Sequence, residues 1–92
     1  MIGSVSLPGD QRFAAACRIA GALAEDGFAR LTIRQDGVER PLEARNTDLP
    51  GLLSRGDLEL SAPGLTLRFT GPRVEWSAER PELAEAIRAC LA

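Results

Sequence analysis

Few side chains in this sequence can do covalent or acid–base chemistry. The chain has no His, no Lys and no Tyr, and its basic residues are eleven Arg. Arg stays protonated at physiological pH, His is the usual general base near neutrality, and Lys is the side chain that forms Schiff bases. A Ser or Thr therefore lacks the usual partner to activate it, which leaves Cys17 and Cys90 as nucleophile candidates. Cys17 falls within a helical pattern on an apolar face. Cys90 falls at a helix C-terminus, where the dipole opposes a thiolate. Both read as small buried hydrophobes, and two Cys without a signal peptide fit a reducing compartment better than a disulfide.

Carboxylates come in close pairs at Glu25/Asp26, Glu39/Glu43, Asp57/Glu59 and Glu82/Glu85. A two-carboxylate hydrolase needs such a pair facing a cleft, but Glu39, Glu43 and Glu59 are expected to face Arg across strands, and Glu82 and Glu85 fall at a helix start. A metal would have to use oxygen ligands, and Asp36-Gly37-Val38-Glu39 lacks the spaced acids of a calcium loop. There is no G-x-G-x-x-G, and no Lys to complete a P-loop. The expectation is a protein that is not an enzyme, with no catalytic residue, metal site or cofactor.

Bulk properties narrow the partners. A net charge of −2 and a pI near 5.1 leave no cationic excess to displace counterions from a phosphate backbone, so nucleic acid is not expected. No uninterrupted apolar run of about 18 residues and no signal-peptide pattern is present, so no membrane is expected and the reading is cytoplasmic. Ninety-two residues suit one small α+β domain over residues 1–92. At that size self-association as a homodimer would add stability.

The elements that must position any site are legible in stretches. Val5 and Leu7 alternate with Ser4 and Ser6 and suggest a short strand. From Asp10, read as an N-cap, the residues Phe13, Ala16, Cys17, Ala20, Leu23 and Ala24 recur at helical spacing. Gly27 is placed as the C′ residue, with Phe28 folding back on the last turn. Asp36-Gly37 between alternating runs predicts a two-residue type I′ hairpin whose partners sum to 73. That register sets Arg34 opposite Glu39, Arg30 opposite Glu43 and Leu31 opposite Leu42. Pro41 marks its second strand as an edge. Leu49, Leu52 and Leu53 lie in one or two helical turns between Thr47/Asp48 and Gly56, with Pro50 in the first turn.

Three runs follow, joined by Pro63-Gly64 and Gly71-Pro72. Two-residue loops give partners summing to 127 and then to 143. One face reads Leu60–Leu67–Trp76 and Leu58–Phe69–Val74, and the other Glu59–Arg68–Glu75, with Ser61 opposite Thr66. Pro81 opens a last amphipathic helix whose stripe is Leu83, Ala84, Ile87, Cys90 and Leu91.

The order (β)-α-β-β-α-β-β-β-α predicts an α+β two-layer sandwich. Its antiparallel sheet, a hairpin plus a three-stranded meander, is covered on one face by two amphipathic helices. After the first strand this order resembles that of roadblock/longin-like regulatory domains, which use helix-hairpin-helix-meander-helix. The middle helix here is much shorter than that family's. Two surfaces stand out as partner-binding candidates: Arg30, Arg34 and Arg68 on the open sheet face, where guanidinium groups suit bidentate carboxylate pairing, and a knob of Leu49, Leu52 and Leu53. The expected function is a non-catalytic protein–protein interaction module, an adaptor, regulator or inhibitor. The alternative is a small-molecule binder or enzyme subunit whose site is completed at an oligomer interface.

Overall fold

The computed structural model describes residues 1–92. The elements in chain order are β1 (Ile2–Ser6), α1 (Arg12–Glu25), β2 (Arg30–Gln35), β3 (Val38–Glu43), α2 (Leu49–Leu53), β4 (Leu58–Ala62), β5 (Leu65–Thr70), β6 (Arg73–Ala78) and α3 (Pro81–Leu91). The six strands form one antiparallel sheet in the order β1-β6-β5-β4-β2-β3. The expected order and α+β class both hold.

Local chemistry accounts for the hairpins. Asp36 and Gly37 both take positive φ, 53° and 77°, as a type I′ turn requires, and β2 pairs with β3 from Arg30↔Glu43 to Gln35↔Val38. Gly64 and Gly71 also sit at positive φ in the two meander turns. Registers run Leu58↔Phe69 through Ala62↔Leu65 and Leu65↔Ala78 through Thr70↔Arg73, so all three predicted sums are observed. A one-residue slip would have driven Arg68 into the core.

Two joins had no tight turn to predict them. The meander meets the hairpin through β4 and β2, with Thr32↔Ser61, Ile33↔Leu60 and Arg34↔Glu59. β1 adds to the far side of β6, with Gly3 over Trp76 and Val5 beside Val74. A Cβ at Gly3 would come within 2.3 Å of the Trp76 ring, so only glycine lets β1 lie there.

The helices lie on one face. Buried side chains from α1, α2 and α3 and from the inward sheet positions form one contiguous cluster, which leaves no second core anywhere in the chain. Helix α1 lies between the other two, packing against both. Its C-terminus is a Schellman motif: the Phe28 N–H donates to Leu23 O and the Gly27 N–H to Ala24 O, with Gly27 at φ 87°. Helix α3 buries all five stripe residues and starts with Pro81 in its first turn.

Two expectations about α1 are corrected. Asp10 does not cap it. A single 3₁₀ turn over Gly9–Gln11 precedes the helix, and the Gln11 N–H donates to Pro8 O at 2.9 Å, so the tighter turn takes the place of a carboxylate cap. The buried stripe is Ala15, Ala16, Ile19 and Leu23; Phe13 and Cys17 are exposed. The wheel is turned so that Ile19 goes inward, because a β-branched aliphatic chain gains more from burial than the Ala20 methyl it displaces.

Candidate functional site

The predicted arginines stand where the register puts them, on the sheet face that no helix covers. Across five strands the pairing sets Glu39, Arg34, Glu59, Arg68 and Glu75 in one row of alternating charge. Within it Arg34 Nη2 pairs with Glu39 at 2.6 Å and Arg68 Nη2 with Glu59 at 3.0 Å. The hydrogen bond from Arg34 to Glu39 holds its guanidinium pKa above the ordinary value, with the Glu39 and Glu59 charges adding to it. Arg30 lies opposite Glu43 in register without an ion pair. A carboxylate arriving from outside would have to compete with partners already in place for Arg34 and Arg68. Of the row, Glu75 alone is left without an ion pair.

The leucine knob does not exist as an exposed surface. Leu49 and Leu53 are fully buried beneath α1, and only Leu52 is partly exposed. At i and i+4 on a helix this short, Leu49 and Leu53 share the face turned to the core, and Leu52 lies toward its edge. Leu49 and Leu53 are therefore removed as partner contacts.

Leu52 instead lines a trough that the sequence did not predict. Its walls are the outer flank of α1, with Phe13 and Cys17, and the β3–α2 segment, with Pro41, Leu42, Pro50 and Leu52. This part encloses about 740 Å³. A second hollow of about 390 Å³ continues it along α1 past Ala20, Gly21 and Ala24, sharing Asn46, Thr47 and Pro50 with the first. Phe13 is 58% exposed at the mouth. The hollow beside Ala20 and Ala24 is mainly apolar and the larger part is mixed; around them stand Arg40, Arg45 and Arg55, all exposed and none in an ion pair, with Asp48 and Glu25 as the nearby acids.

The wall formed by α2 is fixed by side chains from outside it. Arg12 Nε donates to Leu53 O at 3.1 Å and Nη2 to Gly56 O at 2.6 Å, while its guanidinium lies 4.9 Å from the centre of the Phe69 ring. Partial burial lowers the Arg12 pKa, and Asp57 opposes that shift. Gln35 Nε2 donates to Arg55 O at 2.7 Å. These bonds satisfy carbonyls at the end of a five-residue helix too short to hold itself. Arg18 does the same for α3, donating to Cys90 O at 3.0 Å.

Neither Cys resembles an activated nucleophile. Burial pushes the Cys90 thiol pKa up, partly offset by Arg18. Cys17 is exposed in the trough wall with no acid–base partner bonded to it. No cluster of three Asp, Glu or Cys side chains is placed to hold a metal ion, and no helix is long and apolar enough to cross a membrane.

The sequence reading missed Phe13, Gly21, Arg40 and Arg55 as site residues. One signal was available. Gly21 lies inside an α-helix, where glycine costs roughly 1 kcal/mol relative to Ala, and a Cβ built there meets nothing within 4 Å. Its own fold gives no reason for that glycine.

The likeness to roadblock/longin-like domains goes no further than the order of elements. Compared with family models, with curated proteins and with solved structures, the chain matches none of them.

Proposed function

We infer that this protein is a non-catalytic interaction module, an adaptor, regulator or inhibitor, that receives a short acidic amphipathic helix of another protein in the trough beside α1. We place it in the cytoplasm on the same footing, because free Cys17 and Cys90 suit a reducing compartment. The observation that carries the reading is Gly21, a helix-weakening residue facing open space in the middle of an apolar flank.

Four features select the occupant. From Phe13 to Ala24 the flank runs about 16 Å at 1.5 Å per residue, the length of three helical turns. Cys17, Ala20, Gly21 and Ala24 are small and let a second helix approach to the short end of the 8–10 Å interaxial range. Arg40, Arg45 and Arg55 are unpaired in a protein whose net charge is negative, so an acidic rim on the partner would meet free guanidinium groups. Phe13 and Leu52 supply the apolar anchors, in the helix-in-groove mode.

A display selection from an unbiased library of helical peptides tests this, with the winners mapped by amide shift perturbation on the labelled protein. Enriched peptides carry Asp or Glu beside an apolar stripe, shift Cys17, Gly21 and Leu52, and lose binding to Leu52→Asp. Peptides that shift only Arg30, Arg34 and Arg68, or a selection that enriches nothing, would sink the reading.

A further inference from the structure

The two edges of the sheet are built differently. In β3 the pairs bonded to β2 are those of Val38, Arg40 and Leu42, because Ala44 N–H still donates to Ala29 O beyond the strand. Glu39, Pro41 and Glu43 therefore turn their backbone groups to the edge. Pro41 removes the central donor there, and two carboxylates flank it. Both are devices that block edge-to-edge pairing.

β1 has neither. Ala78 N–H donates to Met1 O and Leu7 N–H to Pro72 O, so Gly3 and Val5 are the bonded positions between them. Ile2, Ser4 and Ser6 then direct N–H and C=O groups away from the sheet. The strand reads Ile-Gly-Ser-Val-Ser, with no charge and no proline. Ile2 is 84% exposed.

We propose that β1 pairs antiparallel with β1 of a second copy of this chain about a two-fold axis at Ser4, joining two six-stranded sheets into one. In that register Ser4 faces Ser4 and Ile2 faces Ser6, so every outward N–H meets an outward C=O in about six hydrogen bonds. Gly3 lies opposite Val5 on the helix side, beside a hollow of about 300 Å³ lined by Val5, Trp76 and Leu91.

Charge supports the same occupant. The alternating row of the open face ends at Glu75, next to Ser4. In the paired sheets two serines separate Glu75 from its copy by three strand spacings, about 14 Å, which exceeds the screening length of about 10 Å at 0.1 M salt. No like charges meet. A single five-residue edge covers less than the roughly 800 Å² per partner of stable complexes, so the dimer is weak and depends on concentration.

Sedimentation velocity from about 1 µM to 1 mM tests the pairing across the affinity range expected of so small an interface. The mass rises from one chain toward two. Ser4→Arg pairs with Glu75 in its own chain but meets its copy at the axis, and it shifts the midpoint at least tenfold to higher concentration while the melting temperature measured well below the wild-type midpoint is unchanged. In a Cys17→Ser background, Ser4→Cys crosslinks on oxidation, because the paired Cα atoms lie about 5.5 Å apart, within disulfide range. Glu39→Cys on the other edge does not. A concentration-independent monomer, or a dimer that ignores Ser4→Arg while Ser4→Cys fails to crosslink, overturns the proposal.

Discussion

Helix α1 carries apolar residues on two flanks, and the flanks differ in what they are made of. One holds Ala15, Ala16, Ile19 and Leu23, all buried against the sheet and the other helices. The other holds Phe13, Cys17, Ala20, Gly21 and Ala24, which line the trough; Ala20 alone of these also packs against the core, and the space in front of Gly21 is open. Ile19 and Leu23 gain most from leaving water, so folding orients the helix on them. The second flank keeps one large exposed ring and a line of small residues. Folding selects by buried area; binding a helix selects for close approach.

The largest effect expected from this contrast is on stability. Ile19→Ala leaves a cavity in the core and costs about 2–5 kcal/mol in urea unfolding. Phe13→Ala removes a larger side chain yet costs under about 1 kcal/mol, because its ring is mostly in water. Equal costs would erase the distinction between the flanks.

Arg12→Ala comes next, at about 1–3 kcal/mol, because it frees the carbonyls of Leu53 and Gly56 and the contact with Phe69. Arg12→Lys restores the charge without the planar fork and recovers only part of that loss. Since Arg12 anchors α2, both variants also raise amide exchange across Leu49–Leu53 more than in β5. Uniform exchange would show that α2 does not depend on it.

Gly21→Ala raises stability by about 0.5–1 kcal/mol, since the methyl enters open space and helix propensity improves. A loss of stability would mean that the glycine serves the fold after all.

The smallest effect is a pH slope. The Cys90 thiol has a folded pKa above its unfolded value, so the folded state holds the proton that the unfolded chain gives up. Its contribution is complete below the unfolded thiol pKa of about 8.5 and is lost as pH rises from there through the folded value. Cys90→Ala flattens that alkaline decline, measured as urea midpoints on either side of it. An unchanged slope would assign the decline to other groups.

The fold was largely legible where chemistry is local. Asp36-Gly37 admits one turn geometry, and two-residue loops around Pro63-Gly64 and Gly71-Pro72 lock their registers, so inward and outward residues followed by alternation. Pro41 pointed to an edge for a covalent reason, its missing N–H. Where β4 would dock and whether β1 would join were not legible. Those pairings close long connections, and no residue inside a connection specifies a distant register. The trough was hidden by the same periodicity that revealed α1. Phe13, Cys17, Ala20 and Ala24 satisfy a helical stripe as well as Ala15, Ala16 and Ile19 do, and only the packed structure shows which one the core takes. The candidate arginines were correctly placed on the open face, but their spacing could not show that Arg34 and Arg68 are engaged within the sheet while Arg40 and Arg55 are free.

If the second flank of α1 is a docking surface, Gly21→Leu blocks it. The leucine side chain projects into the trough without meeting the protein's own atoms at Cβ, so the fold keeps at least its wild-type melting temperature. Fluorescence anisotropy with a selected acidic helical peptide then reads a loss of affinity of about tenfold or more, since the helix can no longer approach α1. Unchanged affinity in a folded Gly21→Leu protein would mean that no helix docks on this flank.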